Sequence, residues 1–150
     1  MANKIEIKNK KATHLFEIDE KYTAGIQLKG TEIKSIRQGK ANLVDSYCFF
    51  QEGELWLKGM HIAEYDHSSH FNHEPKRDRK LLLKKQELRK IQRKVKEKGN
   101  TVIALKVFIS EKGWAKAEIA TAKGKKKFDK REDIKEKDMK RDMERMEKYR

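Results

Sequence analysis

A single cysteine, a single proline and no long apolar run exclude several protein classes from this 150-residue chain. Cys48 has no partner for an internal disulfide, and among Tyr47, Phe49 and Phe50 it reads as a buried thiol, so neither a disulfide framework nor redox chemistry is expected. Nothing approaches the ~20 apolar residues that span a bilayer, and the start MANKIEIKNKKA lacks the hydrophobic stretch of a secretory signal. A soluble, cytoplasmic protein without a membrane partner is the expectation. Apolar residues are 36% of the chain, short of the ~45% typical of a fully globular domain, so part of it should lie outside any core. Roughly 110 to 120 residues should fold autonomously. There is no GxSxG, Walker loop, HExxH or paired Gly-rich fingerprint, which leaves an enzyme only scattered carboxylates such as Asp19, Glu32 and Asp45. His67, His70 and His73 stand three apart without a cysteine or second ligand cluster, so they read as a polar loop rather than a metal site. No catalytic residue, metal or cofactor is expected.

What the chain does have is positive charge, and that charge is segregated. Residues 75–98 hold 12 Lys+Arg against 3 Asp+Glu, and residues 123–150 hold 13 against 8. Those two blocks account for the whole formal charge of +14, and the other 98 residues are neutral. Such confinement points to a polyanionic partner. A membrane surface is the competing polyanion, but the tail lacks the Trp and Leu that membrane-binding helices set against their basic face. Nucleic acid is favoured.

The apolar pattern predicts a mainly β fold. His14 to Glu20 and Ala24 to Lys29 alternate as strands, joined through Lys21 to Thr23 and expected to pair antiparallel. TEIKSIRQ reads as a two-turn helix with a Thr31 cap, closed by Gly39. SYCFFQ and ELWLKGMHI form one hairpin about Glu52 and Gly53, and TVIALKVFIS and WAKAEIA form another about residues 111–113. Between the hairpins, after Pro75, Leu81, Leu88, Ile91 and Val95 recur at helical spacing, with Asp78 as cap and Gly99 as stop. That predicts an amphipathic basic helix near 78–98. Of Leu81 to Leu83, two should pack on the core and the third should stay free for a base or sugar. Six antiparallel strands with two or three helices fit a small closed barrel of the oligonucleotide-binding type, over residues 1–122.

From Lys123 onward the apolar residues thin to Phe128, Ile134, Met139, Met143, Met146 and Tyr149, too few to order 28 residues alone. Favourable pairs such as Glu136 with Lys140 and a row of methionines suggest a segment (123–150) disordered when free and helical when bound.

The strings AGIQLKGTEIKSIRQGKANLVDSY, PKRDRKLLLKKQEL and AKGKKKFDKREDIKEKD, in this order, resemble the SsrA-binding protein (small protein B) family from about Asn9 to the C-terminus. The resemblance implies an adaptor for trans-translation, whose barrel binds transfer-messenger RNA and whose tail enters the decoding centre and empty messenger channel of a stalled small ribosomal subunit. It implies RNA-facing positions at Asn9, Lys10, Lys11, Thr23, Arg77, Arg79, Lys80, Leu82 and Lys84. On the tail it implies contacts to the small subunit and its 16S RNA from Gly124, Lys125, Lys126, Phe128, Asp129, Lys130, Arg131, Ile134, Met139 and Met146. Elongation factor Tu and alanyl-tRNA synthetase would be indirect partners through the charged RNA. Thr23 stands where the family often has Glu, Lys84 where it often has Asn or His, and Phe128 where it commonly has His. An isolated ring at Phe128 suits stacking on a nucleobase. A ribosomal protein or RNA chaperone would share the basic helix and tail, and an RNA-processing enzyme is a further alternative.

Overall fold

The computed structural model describes residues 5–66, 72–97 and 99–125. Nine strands and three helices occur among them: β1 (Glu6–Lys8), α1 (Ala12–Leu15), β2 (Phe16–Ile26), α2 (Gly30–Arg37), β3 (Ala41–Asn42), β4 (Tyr47–Gln51), β5 (Glu54–Lys58), β6 (His61–Ile62), β7 (Arg79–Leu82), α3 (Lys85–Val95), β8 (Asn100–Ile109) and β9 (Ala115–Gly124). Six of the strands close a ring in the order β8-β4-β5-β7-β2-β9, with β9 returning to β8, and every pairing is antiparallel. β1 extends the sheet from β8, and β3 pairs with β6 outside the ring. The expected closed barrel is therefore present, and closure leaves its six strands without a bare edge.

Period-two alternation fills its interior. Ala24 and Ile26 of β2, Leu55 and Leu57 of β5, Leu81 of β7, Val102, Ala104 and Val107 of β8, and Ala117 and Ile119 of β9 are buried in one core. Because β2 and β7 are antiparallel, the chain leaves them at opposite ends of the barrel, into α2 and α3 respectively. Ile36 of α2 and Ile91 of α3 are both fully buried in that core, so each helix closes an end. Outside the wall, α1 places Ala12 against Ile103 and Ala122, which covers a short stretch of β8 and β9.

Several local expectations need correction. His14 to Glu20 and Ala24 to Lys29 do not form a hairpin: one strand runs from Phe16 to Ile26, and a bulge between Ile18 and Lys21 absorbs the polar stretch. Helix α2 starts on Lys29, not on a Thr31 cap: Glu32 accepts the Lys29 backbone N–H at 2.7 Å, and the Thr31 hydroxyl instead bonds His73 Nδ1 at 2.9 Å. The basic helix does not begin at Asp78. Residues 79–82 are strand, and α3 starts only after Lys84, whose N–H donates to Glu87. ELWLKGMHI is two strands rather than one, broken at Gly59.

That glycine is required. It sits at φ +85°, and a Cβ there would lie 2.9 Å from the Asp45 carbonyl oxygen and 3.3 Å from Ser46 Cα. Gly59→Ala should destabilise the barrel by at least ~1–3 kcal/mol, the usual cost of a non-glycine residue forced into this backbone region. A melting temperature equal to wild type would show that the turn can relax around a methyl group.

Candidate nucleic-acid interface

The segment from Pro75 to Lys84 carries five of the residues singled out from sequence, and strand alternation in β7 sorts them into two groups. Arg79 and Leu81 point into the barrel and are fully buried, whereas Lys80 is partly exposed and Leu82 is 47% exposed. Leu83 packs partly against the core. Leu81 and Leu83 are thus the two packing leucines, and Leu82 is the free one.

Arg79 lies in an ionic site with Glu32, which is itself fully buried on α2. Its Nε donates to Glu32 Oε2 at 2.6 Å, Nη1 to the Met60 carbonyl at 2.7 Å and Nη2 to the Pro75 carbonyl at 3.0 Å. Arg77 grips the same carboxylate from the rim, with Nη2 at 2.7 Å from Oε1, and reaches the Gln27 and Asp78 carbonyls. One carboxylate thus takes both arginines and the Lys29 N–H. Burial alone would raise the Glu32 pKa, but hydrogen bonds from Arg77, the Lys29 N–H and Arg79 outweigh it and hold the carboxyl below its ordinary value. Burial lowers the Arg79 pKa, opposed by the Glu32 contact.

This geometry corrects the expectation that Arg77, Arg79 and Lys80 are alike RNA-facing. Arg79 cannot reach a phosphate without abandoning a buried carboxylate, and its role is to tie β7 to α2. Arg77 is mostly engaged, its side chain 26% exposed. The available cations lie further along. Lys84 is exposed at the start of α3, and Lys85, Arg89, Lys90 and Arg93 line its outer face with no ion pair among the described residues. Lys94, by contrast, is paired with Asp19 at 3.3 Å and Glu97 at 3.7 Å. Lys80 is loosely held by Glu54 at 3.9 Å.

The remaining positions fall in two other places. Thr23 is exposed on the outer face of β2, opposite Glu118 of β9. Asn9 is committed to the fold, its Nδ2 donating to the Ala104 carbonyl at 3.0 Å and its N–H to the Leu105 carbonyl at 2.8 Å. Lys10 and Lys11 next to it are exposed. The Leu15 N–H bonds the Lys11 carbonyl at 3.1 Å, and the Leu15 carbonyl accepts the Lys125 N–H at 3.0 Å. Lys11 and Lys125 are therefore both bonded to Leu15. Strand β9 runs two residues past the expected break at Lys123: Gly124 pairs with Phe16, and Lys123 with Glu17. Lys126, Phe128, Asp129, Lys130, Arg131, Ile134, Met139 and Met146 lie outside the described residues.

The residues considered for other chemistry have structural partners. His73 is buried, accepting from Thr31 at Nδ1 and donating from Nε2 to the Ile62 carbonyl at 2.8 Å. His67 and His70 lie outside the described residues, and among those described no group of three or more His, Cys, Asp or Glu could hold a metal ion. Cys48 is buried, and that burial pushes its thiol pKa well up, as expected for an inert side chain. Among the described residues no helix is long and apolar enough to cross a membrane. Sequence reasoning missed Glu32 as the organiser of this region. The signal was the shared parity of Arg79 and Leu81, which puts Arg79 on the core face once Arg79–Leu82 is read as a strand.

The chain is similar throughout to proteins of one family. The family model described as SmpB protein matches residues 6–149. An SsrA-binding protein of Bacteroides thetaiotaomicron is 61% identical over 142 residues, 95% of each chain, and one of Phocaeicola vulgatus is 58% identical over the same coverage. That of Christiangramia forsetii is 52% identical over 148 residues, 99% of this chain and 94% of the relative. Among solved structures, a chain from "tmRNA-SmpB: a journey to the center of the bacterial ribosome" superimposes with a TM-score of 0.69 at 46% identity, over 82% of this chain and 86% of that one.

Proposed function

Since the chain belongs to the SmpB family, an RNA-binding adaptor family and not an enzyme family, we propose that it binds transfer-messenger RNA and brings it to stalled ribosomes in trans-translation. The observation that carries this reading is the row of Lys84, Lys85, Arg89, Lys90 and Arg93, without an ion pair among the described residues, beside the exposed Leu82 on a closed barrel. Structured RNA is held largely through phosphates and shape, and free cations on a rigid helix meet that need. The adaptor works in the cytoplasm, without a cofactor. Its barrel takes the RNA through Lys80, Leu82 and Lys84, with Arg77 and Thr23 at the margins and Lys10 and Lys11 near the root of the tail. The tail, with Phe128, Lys130 and Arg131, reads the decoding centre and the empty messenger channel of the small subunit. Elongation factor Tu and alanyl-tRNA synthetase meet the adaptor only through the charged RNA. Two surfaces on one chain reinforce each other, because docking the barrel raises the local concentration of the tail at its target.

Salt dependence tests the barrel surface. Replacing Lys80 and Lys84 with Ala should lower the slope of log affinity against log salt by ~0.7–0.9 for each phosphate that is no longer neutralised. The melting temperature should stay near wild type, since both side chains reach solvent. An unchanged slope would mean that these lysines serve only solubility.

A further inference from the structure

The turn between β8 and β9 holds an exposed indole that the RNA face described above does not use. Trp114 is 67% exposed, the most exposed of the large hydrophobic side chains among the described residues. It is not on a loose loop. The Ser110 N–H donates to the Trp114 carbonyl at 2.8 Å, the Gly113 N–H to the Ser110 carbonyl at 2.8 Å, and the Trp114 N–H to Ser110 Oγ at 3.1 Å. A turn fixed by three hydrogen bonds presents the ring without a large ordering cost on binding.

Its surroundings carry more positive than negative charge, Glu111 being the acidic residue of the turn beside Lys112, Arg37 and Lys116. Gly113 lies beneath Arg37, since a Cβ at that glycine would sit 3.8 Å from Arg37 Nη2. Arg37 and Lys112 are exposed, and neither they nor Lys116 make an ion pair among the described residues. Some other lysines of the barrel wall do have acidic neighbours: Lys21 with Glu118, and Lys106 with Glu6 and Glu118. A flat ring among spare positive charges suits a nucleobase and its phosphates better than an apolar protein surface, which would have to desolvate those cations.

This corner is continuous with the RNA face. Gly25 pairs with Leu82 on one side and with Lys116 on the other, so Leu82, Gly25 and Lys116 form one row across the outside of the barrel. Two strand spacings separate Leu82 from Lys116, about 10 Å, and Trp114 is two residues further along. Gly25 leaves the row low: a Cβ there would come within 3.3 Å of Leu82 Cβ.

We propose that Trp114 stacks on an unpaired base of transfer-messenger RNA while Arg37 and Lys112 hold the adjoining phosphates, so that one RNA face runs from Lys84 and Leu82 across Gly25 and Lys116 to the β8–β9 turn. The inference rests on the transfer-messenger RNA reading and adds a specific anchor to it. Trp56 is the only other tryptophan, so Trp56→Phe in the full chain makes Trp114 the sole indole emitter. Titrating that protein with transfer-messenger RNA should quench its fluorescence, saturating at the concentration where independent binding assays saturate. Trp114→Ala should weaken binding by about 5- to 150-fold, Trp114→Phe should restore most of it, and neither should shift the melting temperature. Absence of quenching, or an affinity unchanged by Trp114→Ala, overturns the inference, as does quenching by isolated small subunits but not by transfer-messenger RNA. If Lys80 and Lys84 substitutions weaken binding while Trp114→Ala does not, this inference fails alone. If the wild-type chain does not bind transfer-messenger RNA, the underlying reading fails.

Discussion

Glu32→Ala should lower the melting temperature by about 10–20 °C, because it leaves two arginines around an empty site in the wall of the barrel. Removing one partner of a buried pair costs about 3–5 kcal/mol, far more than an exposed pair contributes. Here the carboxylate also accepts the Lys29 N–H at 2.7 Å, so its loss uncaps α2 as well. Fully buried Arg79 would keep its bonds to the Met60 and Pro75 carbonyls but lose its counter-charge. Glu32→Gln keeps the cap and the shape and removes only the charge, so it should fall between wild type and Ala. Acid supplies a second test. The Glu32 pKa is lowered in the folded protein, so its contribution is complete above the ordinary glutamate range of ~4.3–4.5 and is lost as pH falls through the folded value. The stability advantage of wild type over Glu32→Gln should therefore be constant near neutrality and shrink in acid. Melting curves from pH 7 down to 3 would show it, and an advantage that grew in acid would contradict the ionic account. RNA affinity should fall with Glu32→Ala too, because β7 and the start of α3 take their position from this site.

A chain ending at Lys125 should melt like the full chain and bind transfer-messenger RNA with similar affinity, yet support no peptide tagging on stalled ribosomes. Everything that closes the barrel is present by that point, including the pairing of Gly124 with Phe16 and the Lys125 N–H bond to Leu15. Ending at Ala122 is a different experiment. It removes the pairings of Lys123 and Gly124 with β2, and the melting temperature should drop. Tagging by the chain ending at Lys125 would remove the tail from the mechanism, and loss of RNA affinity in that chain would merge the two surfaces into one.

The parts of this fold that were legible in the sequence are those where a glycine turn sits between two apolar alternations. Both hairpins were readable for that reason, with Gly53 and Gly113 at positive φ. The helix over 85–95 was readable from Leu88, Ile91 and Val95, which do pack on the core. What misled was polarity inside a strand. Lys21 to Thr23 resembles a connection, but a bulge carries the chain through it, and only the partner strand β9 reveals that. Arg79 misled in the opposite sense. An arginine beside basic neighbours reads as a phosphate ligand until its counter-charge, 47 positions earlier in the chain, is known. The site was accordingly legible as a basic region after Pro75 with one free leucine among Leu81, Leu82 and Leu83, while which leucine that is and the division between structural and available cations required the fold.

Sequencing the RNA that copurifies with the full chain from cells identifies its partner without assuming one. An RNA adaptor for trans-translation should carry transfer-messenger RNA enriched far above transfer RNA and ribosomal RNA, and the enrichment should persist when the chain ends at Lys125. Recovery of ribosomal RNA in proportion to mature subunits, with no enrichment of transfer-messenger RNA, would instead mark a resident ribosomal protein.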